Sequence, residues 1–314
     1  LGHFYAGKKL GFRIDEFAIG MGPVVCSKEK NGTRFAIRAL PIGGLCAFHG
    51  EDEGVSDPEC FNAQPVWKRM IVVLAGPFMN ILLAVVLAVI ILMTYGEYMP
   101  KINDFTAENT PAEAAGIQVG DIITAIDGKS ITYYAECTDY IRQADHAGIE
   151  VTVRRGGSDV TLTARDIYDP ESGSNRLGIY ISPERLRYGL LEAATNSVRY
   201  TCYIVKEMFK VLGGLFTGSV TSDDVAGPVG TISIIGQAVR AGFEVVLRLG
   251  VLISINLGIM NILPIPALDG GRFLFMVIEA VRGKPIPPEK EGMIHMAGLV
   301  LLFSLMILLT VMDV

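Results

Sequence analysis

Three stretches of this chain carry no Asp, Glu, Lys or Arg over a length that matches a bilayer. Met70 to Thr94 runs 25 residues, Leu249 to Leu268 runs 20, and Gly292 to Met312 runs 21 with His295 counted neutral. About 20 apolar residues rising roughly 1.5 Å each cross a hydrocarbon core of about 30 Å. Each stretch therefore predicts a transmembrane helix, and the buried helices of a soluble core rarely supply three such runs.

Elsewhere the periodicity changes. Residues 1–66 alternate short apolar pieces with glycine: Phe17-Ala18-Ile19-Gly20-Met21-Gly22, Phe35-Ala36-Ile37-Arg38 and Leu40-Pro41-Ile42-Gly43-Gly44. Asn31-Gly32 sits between two of them and is a strong hairpin signal, because a type I′ turn needs positive φ twice. β-Hairpins at the membrane face are expected there. After the first span, Pro111 to Gly116 reads as a short helix ended by glycine. Asp121 to Ile126 reads as a strand, and Asp127-Gly128 and Gly156-Gly157 as tight turns. Val151 and Val153 alternate with polar residues, as do Val160 and Leu162, giving a compact α+β module. Residues 188–217 place Leu191, Ala194, Val198, Cys202, Val205, Phe209, Leu212 and Phe216 at spacings of three and four, with Arg199, Lys206 and Lys210 on another face. That amphipathic helix either packs on the module or lies on the membrane surface.

The resulting organisation is 1–66, the end of a helix plus the hairpin region; 67–96, a transmembrane helix; 97–170, the α+β module; 171–240, an amphipathic helical region; 241–271, a second transmembrane helix; and 272–314, a loop and the last span. Composition agrees: half of the residues are hydrophobic and 19% are charged, against about a quarter charged in soluble domains. A net charge of −6 with no Lys/Arg block gives no reason to expect nucleic acid as a partner. The five cysteines are scattered without a CxxC pair, so neither a disulfide framework nor a cysteine metal site is indicated. Lys68 and Arg69 precede the first span, and Arg272, Arg282, Lys284 and Lys290 separate the last two. Basic flanks favour the cytoplasmic side, which puts the 97–170 module outside the cytoplasm.

The chemistry concentrates at Asp269, at the end of Asn261-Ile262-Leu263-Pro264-Ile265-Pro266-Ala267-Leu268-Asp269-Gly270-Gly271. An ionisable group at that depth costs a few kcal/mol and reads by default as functional. Pro264 and Pro266 break the helix, and the double glycine allows close backbone approach. Broken backbone at membrane depth is tolerated only inside protein or beside a water-filled cavity. The competing account makes Asp269 the cap of a helix over 270–281, outside the bilayer. His3 bears on the choice, because Leu1-Gly2-His3 matches the last three letters of the H-E-x-x-H zinc motif. His49, His146 and His295 match no ligand spacing and read as surface or structural.

Taken in order, Leu1-Gly2-His3-Phe4, Ile19-Gly20-Met21-Gly22-Pro23, Pro41-Ile42-Gly43-Gly44, Ala75-Gly76-Pro77-Phe78-Met79-Asn80, Ala226-Gly227-Pro228-Val229-Gly230 and Asn261 to Gly271 resemble the site-2 protease family of intramembrane zinc metalloproteases. The match is to its bacterial branch with one PDZ domain, and Ala115 to Gly128 is similar to a PDZ signature. The resemblance implies an α-helical integral membrane protein with an inserted PDZ domain and membrane-associated β-hairpins. It also implies Zn2+ held by His3 and Asp269, and cleavage within single-span membrane proteins such as anti-sigma factors or signal-peptide remnants. The first zinc histidine and the general-base glutamate fall before residue 1, so the chain reads as a truncated and inactive fragment. Leu45 stands where relatives often carry an aromatic residue. The implied location is the bacterial inner membrane, with the active site near the cytoplasmic face.

Three asparagines are site candidates: Asn261, Asn256 and Asn80. Either they make helix–helix hydrogen bonds, or Asn261 helps hold substrate backbone or an oxyanion. The PDZ module either binds an extended peptide at a sheet edge or acts as a steric plug against bulky substrates. A different class of function, a metal-free pseudoprotease serving as a PDZ scaffold, stays open at this point.

Overall fold

A computed structural model describes residues 1–51, 59–170, 172–218 and 227–312. Ala226 of the Ala226–Gly230 motif and the Phe216 side chain of the amphipathic stripe lie outside the described residues. The chain forms two compact units, Leu1–Ala84 with Val205–Val314, and Val85–Ile204.

The first unit opens with helix α1 (Gly2–Lys9), then strands β1 (Ile14–Lys30) and β2 (Thr33–Phe48). Asn31 and Gly32 join the strands at φ 53° and 71°, the two positive values that the dipeptide predicts. The expected set of hairpins is instead one long ribbon folded on itself. Glu16 to Ile19 pair with Arg34 to Ile37 on one side and with Ala47 to Gly44 on the other, while Arg34 to Ile37 also pair with Glu29 to Cys26. Folding back demands a bend near Gly20, at φ 87°, where a side chain would meet the carbonyl oxygens of Leu40 and Arg38. Phe4 of α1 packs on Phe17 and Phe35 of this sheet, with ring centroids 4.9 and 5.7 Å away. Helix α2 (Val66–Thr94) follows, with Pro77 inside it.

The second unit is the α+β module. Its strands β3 (Glu97–Phe105), β4 (Ile122–Ile126), β5 (Lys129–Ser130), β6 (Gly148–Arg155) and β7 (Ser158–Arg165) are joined by helices α3 (Pro111–Ala114) and α4 (Glu136–Gln143). A small ribbon of β8 (Tyr168–Asp169) and β9 (Ser174–Asn175) leads to β10 (Ile179–Leu186), and the sheet order is β10-β3-β4-β6-β7 with β5 on β4. Ile102, Ile123, Val151, Val153 and Leu177 fill its core. Glu113 accepts from the Asn109 N–H at 2.8 Å while Thr110 Oγ accepts from Glu113 N–H at 3.3 Å, so α3 begins with a reciprocal cap. The sheet extends beyond the expected 97–170, because Ile179–Leu186 lies within the stretch read as helical. Pro183 hides it: proline is tolerated on an edge strand, and β10 is one.

Helix α5 (Leu190–Thr217) does not dock by the apolar stripe read from sequence. Its buried face in the module is Ala193, Ser197, Tyr200, Thr201 and Ile204, and Tyr133 stacks on Tyr200 at 5.4 Å. Ala193, Ser197 and Thr201 sit among Tyr200 and Ile204 on that face, while Leu191, Val198 and Phe209 on the stripe are exposed. Arg199, Lys206 and Lys210 line the flank of that exposed stripe.

The first unit resumes with α6 (Pro228–Ala241), α7 (Phe243–Ile262), α8 (Asp269–Arg282) and α9 (Pro288–Met312). Among the described residues three helices are long and apolar enough to cross a membrane: α2, α7 and α9. The fold is that of an α-helical membrane protein with an inserted α+β module. Helix α7 stops at Ile262, before the uncharged run ends at Leu268, because Pro264 and Pro266 follow. Against α2 it packs through small residues. Ser254 Oγ donates to the Asn80 carbonyl at 2.7 Å, and Gly258 leaves room for Ile81 and the Pro77 carbonyl.

Candidate metal centre

Three helices of the first unit bring one histidine and one carboxylate together. His3 projects from α1 and Asp269 from the first position of α8, with Nε2 and Oδ2 3.5 Å apart. The capping account of Asp269 fails on geometry. The cap position of α8 is Leu268, where no side-chain cap hydrogen bond is made. Its carboxylate faces the imidazole instead.

Helix α2 fixes the ring. His3 Nδ1 lies 2.9 Å from the Val72 carbonyl, which can only accept, so Nδ1 carries the proton. In the neutral ring Nε2 then turns a lone pair toward Asp269. Metal-ligating histidines hold their second nitrogen in this way. Gly76, one turn beyond Val72, makes room: a methyl there would overlap Nε2 and Cε1 of His3 and lie 3.1 Å from Cδ2. Gly2 plays the reciprocal part, since a side chain on it would run into the Ala75 carbonyl. The two helices thus meet backbone to backbone.

A lone pair and a carboxylate oxygen facing each other form a donor pair suited to a cation. Two ligands each about 2.0–2.2 Å from a tetrahedral ion stand roughly 3.3–3.6 Å apart, which the observed separation meets. Both side chains are about a quarter exposed, at 29% and 26%. Among the described residues no third His, Cys, Asp or Glu completes a group of three. The donor set present is therefore one nitrogen and one carboxylate.

The segment Leu263 to Leu268 carries the backbone from α7 into α8. A side chain on Gly270 would strike the carbonyls of Ile262 and Leu263, and one on Gly271 that of Ile265. The double glycine is thus a packing requirement. Ion pairs secure α8 elsewhere. Arg69 of α2 meets Glu279 at 2.6 Å with both side chains largely buried, and Arg272 bonds Glu51.

The asparagines separate. Asn80 lies one turn past Gly76 on α2, and Asn261 falls on the Ser254–Gly258 face of α7 that packs against α2. Asn256 is exposed on another side of α7 and is not gathered with them. Sequence reasoning quoted Gly2, Gly76 and Arg69 without giving them a part in the site, and it did not single out Glu279. The glycines carry no side-chain signal, and the Arg69–Glu279 pairing spans 210 positions. His295, read as surface or structural, bonds the Ala267 amide. A cleft of about 480 Å3 opens in the second unit between the sheet and α5, lined by Thr124, Thr152, Arg154, Glu192 and Arg199 among others. It includes neither His3 nor Asp269.

The chain matches the family model described as Peptidase family M50 over residues 1–305. It is 34% identical to a putative zinc metalloprotease of Clostridium acetobutylicum, covering 100% of this chain and 92% of the relative. It is 31% identical to the zinc metalloprotease RasP of Shouchella clausii, covering 100% of this chain and 94% of that one. The solved PDZ domain of an SdrC-like protein from Listeria innocua is 23% identical, covers 29% of this chain and 99% of that chain, and has a TM-score of 0.24.

Proposed function

Because this chain belongs to peptidase family M50, the site-2 proteases, we propose that it is a zinc-dependent intramembrane endopeptidase whose metal is held by His3 and Asp269. The observation that carries the reading is the 3.5 Å approach of His3 Nε2 to Asp269 Oδ2, with Nδ1 committed to the Val72 carbonyl. Open catalytic zinc sites use three protein ligands. A histidine and glutamate immediately before Leu1 would complete H-E-L-G-H, giving the third ligand and the general base.

Zinc bound there would supply Lewis-acid polarisation of a peptide carbonyl and a more acidic water. The chain's own residues do the positioning. His3 donates through Nδ1, so its neutral ring presents the Nε2 lone pair to the site, Gly76 leaves the ring its space, and Asp269 presents Oδ2. Asn261 donates its amide N–H to the substrate backbone or to the oxygen that gains negative charge. The folded ribbon of residues 14–48 offers main-chain groups to an unwound substrate. Unwinding matters, because a helical carbonyl is shielded from attack.

Substrates on this reading are single-span membrane proteins. The active site lies near the cytoplasmic face, since basic residues flank α2 and the α8–α9 junction, and the module of residues 97–170 lies outside. The exposed stripe of α5, with its basic flank, rests on the bilayer surface. The module screens out substrates with bulky outer domains.

The test is metal content and cleavage in the full-length protein. Stoichiometric zinc is expected, with loss of both zinc and cleavage in Asp269→Ala and His3→Ala. A full-length protein that holds no zinc would favour the pseudoprotease scaffold. Asn261→Ala should lower turnover with zinc content unchanged, and loss of zinc would refute the role given to Asn261.

A further inference from the structure

The turn that delivers Asp269 to the site contains a residue in an unfavourable conformation. Leu268 N–H donates to the Ile265 carbonyl at 3.2 Å, closing a four-residue turn with Pro266 second and Ala267 third. Ala267 has φ +75°. Proline second and positive φ third are the marks of a type II turn, whose third position calls for glycine or asparagine. Alanine there is strained and persists only where its surroundings impose the conformation.

Helix α9 supplies that constraint at two adjacent positions. His295 Nδ1 accepts from the Ala267 N–H at 2.9 Å. Three residues on, Gly298 brings the α9 backbone against Pro266. A methyl on Gly298 would stand 2.5 Å from Pro266 Cβ and 2.6 Å from its carbonyl oxygen. The imidazole is held in turn: Phe275 of α8 meets it edge-on at 5.3 Å and 81°, and Nε2 lies 3.7 Å from Glu291 Oε1. Because Nδ1 accepts, the proton of the neutral ring sits on Nε2.

We propose that His295 is a positioning residue for Asp269: by capturing the Ala267 amide it imposes the strained turn and so sets where the carboxylate stands relative to His3. The proposal rests on the reading of Asp269 as a metal ligand. It assigns α9, one of the three helices long and apolar enough to cross a membrane among the described residues, a part in building the site.

The test uses the full-length protein in detergent, with zinc affinity measured by competition with a chelator and geometry by the visible spectrum of the cobalt-substituted form. His295→Leu removes the acceptor. It should weaken zinc binding by about 10- to 100-fold, the range typical of lost supporting contacts, and shift the cobalt bands. His295→Asn places Oδ1 near the position of Nδ1 and should stay near wild type, whereas His295→Gln reaches past it and should not. Adding Ala267→Gly to His295→Leu should recover part of the affinity, because glycine holds φ +75° unaided. A folded His295→Leu protein with wild-type zinc affinity and spectrum, while Asp269→Ala loses both, overturns the positioning role and leaves Asp269 a ligand. If Asp269→Ala also keeps its zinc, the underlying reading of the site fails instead. Should the leucine variant not fold, the Asn and Gln variants decide, and equal affinities overturn the proposal.

Discussion

Replacing Gly76 by alanine sets two physical effects against each other at one atom. Gly76 lies inside α2, where alanine is the better helix former by about 0.5–1 kcal/mol. A helix with no neighbour would be stabilised. Here the added methyl overlaps Nε2 and Cε1 of His3. The ring must swing away, giving up its bond to the Val72 carbonyl at about 0.5–1.5 kcal/mol, or α1 must back off from α2 at an overpacking cost of about 1–3 kcal/mol. Net stability should therefore rise by no more than about 0.5 kcal/mol or fall by up to about 2.5 kcal/mol. Metal binding has no such compensation, because a displaced Nε2 no longer faces Asp269. Zinc affinity should fall by at least about tenfold, or about 1.4 kcal/mol. Thermal unfolding and chelator competition on the full-length protein read the two quantities separately. A Gly76→Ala protein that gains stability and keeps wild-type zinc affinity would refute the placement of the His3 ring.

Breaking the Arg69–Glu279 pair by Glu279→Leu alone should cost about 3–5 kcal/mol, and adding Arg69→Met should return most of it, since a lone buried charge is worse than none; thermal melts in detergent check this. Within the module, burial alone would raise the Asp121 pKa, but the Arg155 guanidinium and the Gln118 N–H outweigh it and hold the carboxyl below its ordinary value. A depressed folded-state pKa contributes stability above the unfolded value of about 3.9 and loses it as pH falls through the folded one. Hydrogen exchange of module amides should therefore quicken as pH falls below about 4, after correction for intrinsic rates, and Asp121→Asn should flatten that dependence. Deleting the whole module, residues 97–186, from the full-length protein should let it cleave substrates that keep bulky outer domains; unchanged selectivity would count against a steric gate.

Much of the architecture was legible because its signals are local. Uncharged runs give α2, α7 and α9, Asn31-Gly32 gives the turn, and Pro111 to Gly128 gives the start of the module. What sequence reading lost depends on neighbours remote along the chain. The expected hairpins became one folded ribbon because Glu16 to Ile19 acquire partners on both sides, and no local pattern records a second partner. In α5 the apolar stripe is genuine, yet a different face, Ala193, Ser197, Tyr200, Thr201 and Ile204, docks the helix on the module. Asp269 was legible from the cost of its charge. The reason the site holds its shape was not: it lies in glycines whose value is the absence of a side chain, and in His295, whose partner is a backbone amide.

The folded ribbon also bears on selectivity. Among the described residues, the outward sides of Cys26–Glu29 and Gly44–Ala47 pair with no further strand. A guest chain aligned on either border would be gripped through its amides and carbonyls, features every polypeptide shares. Discrimination would then fall less on the letters of the guest than on how readily it gives up its own helical bonds, and residues that loosen a helix would mark where it is cut.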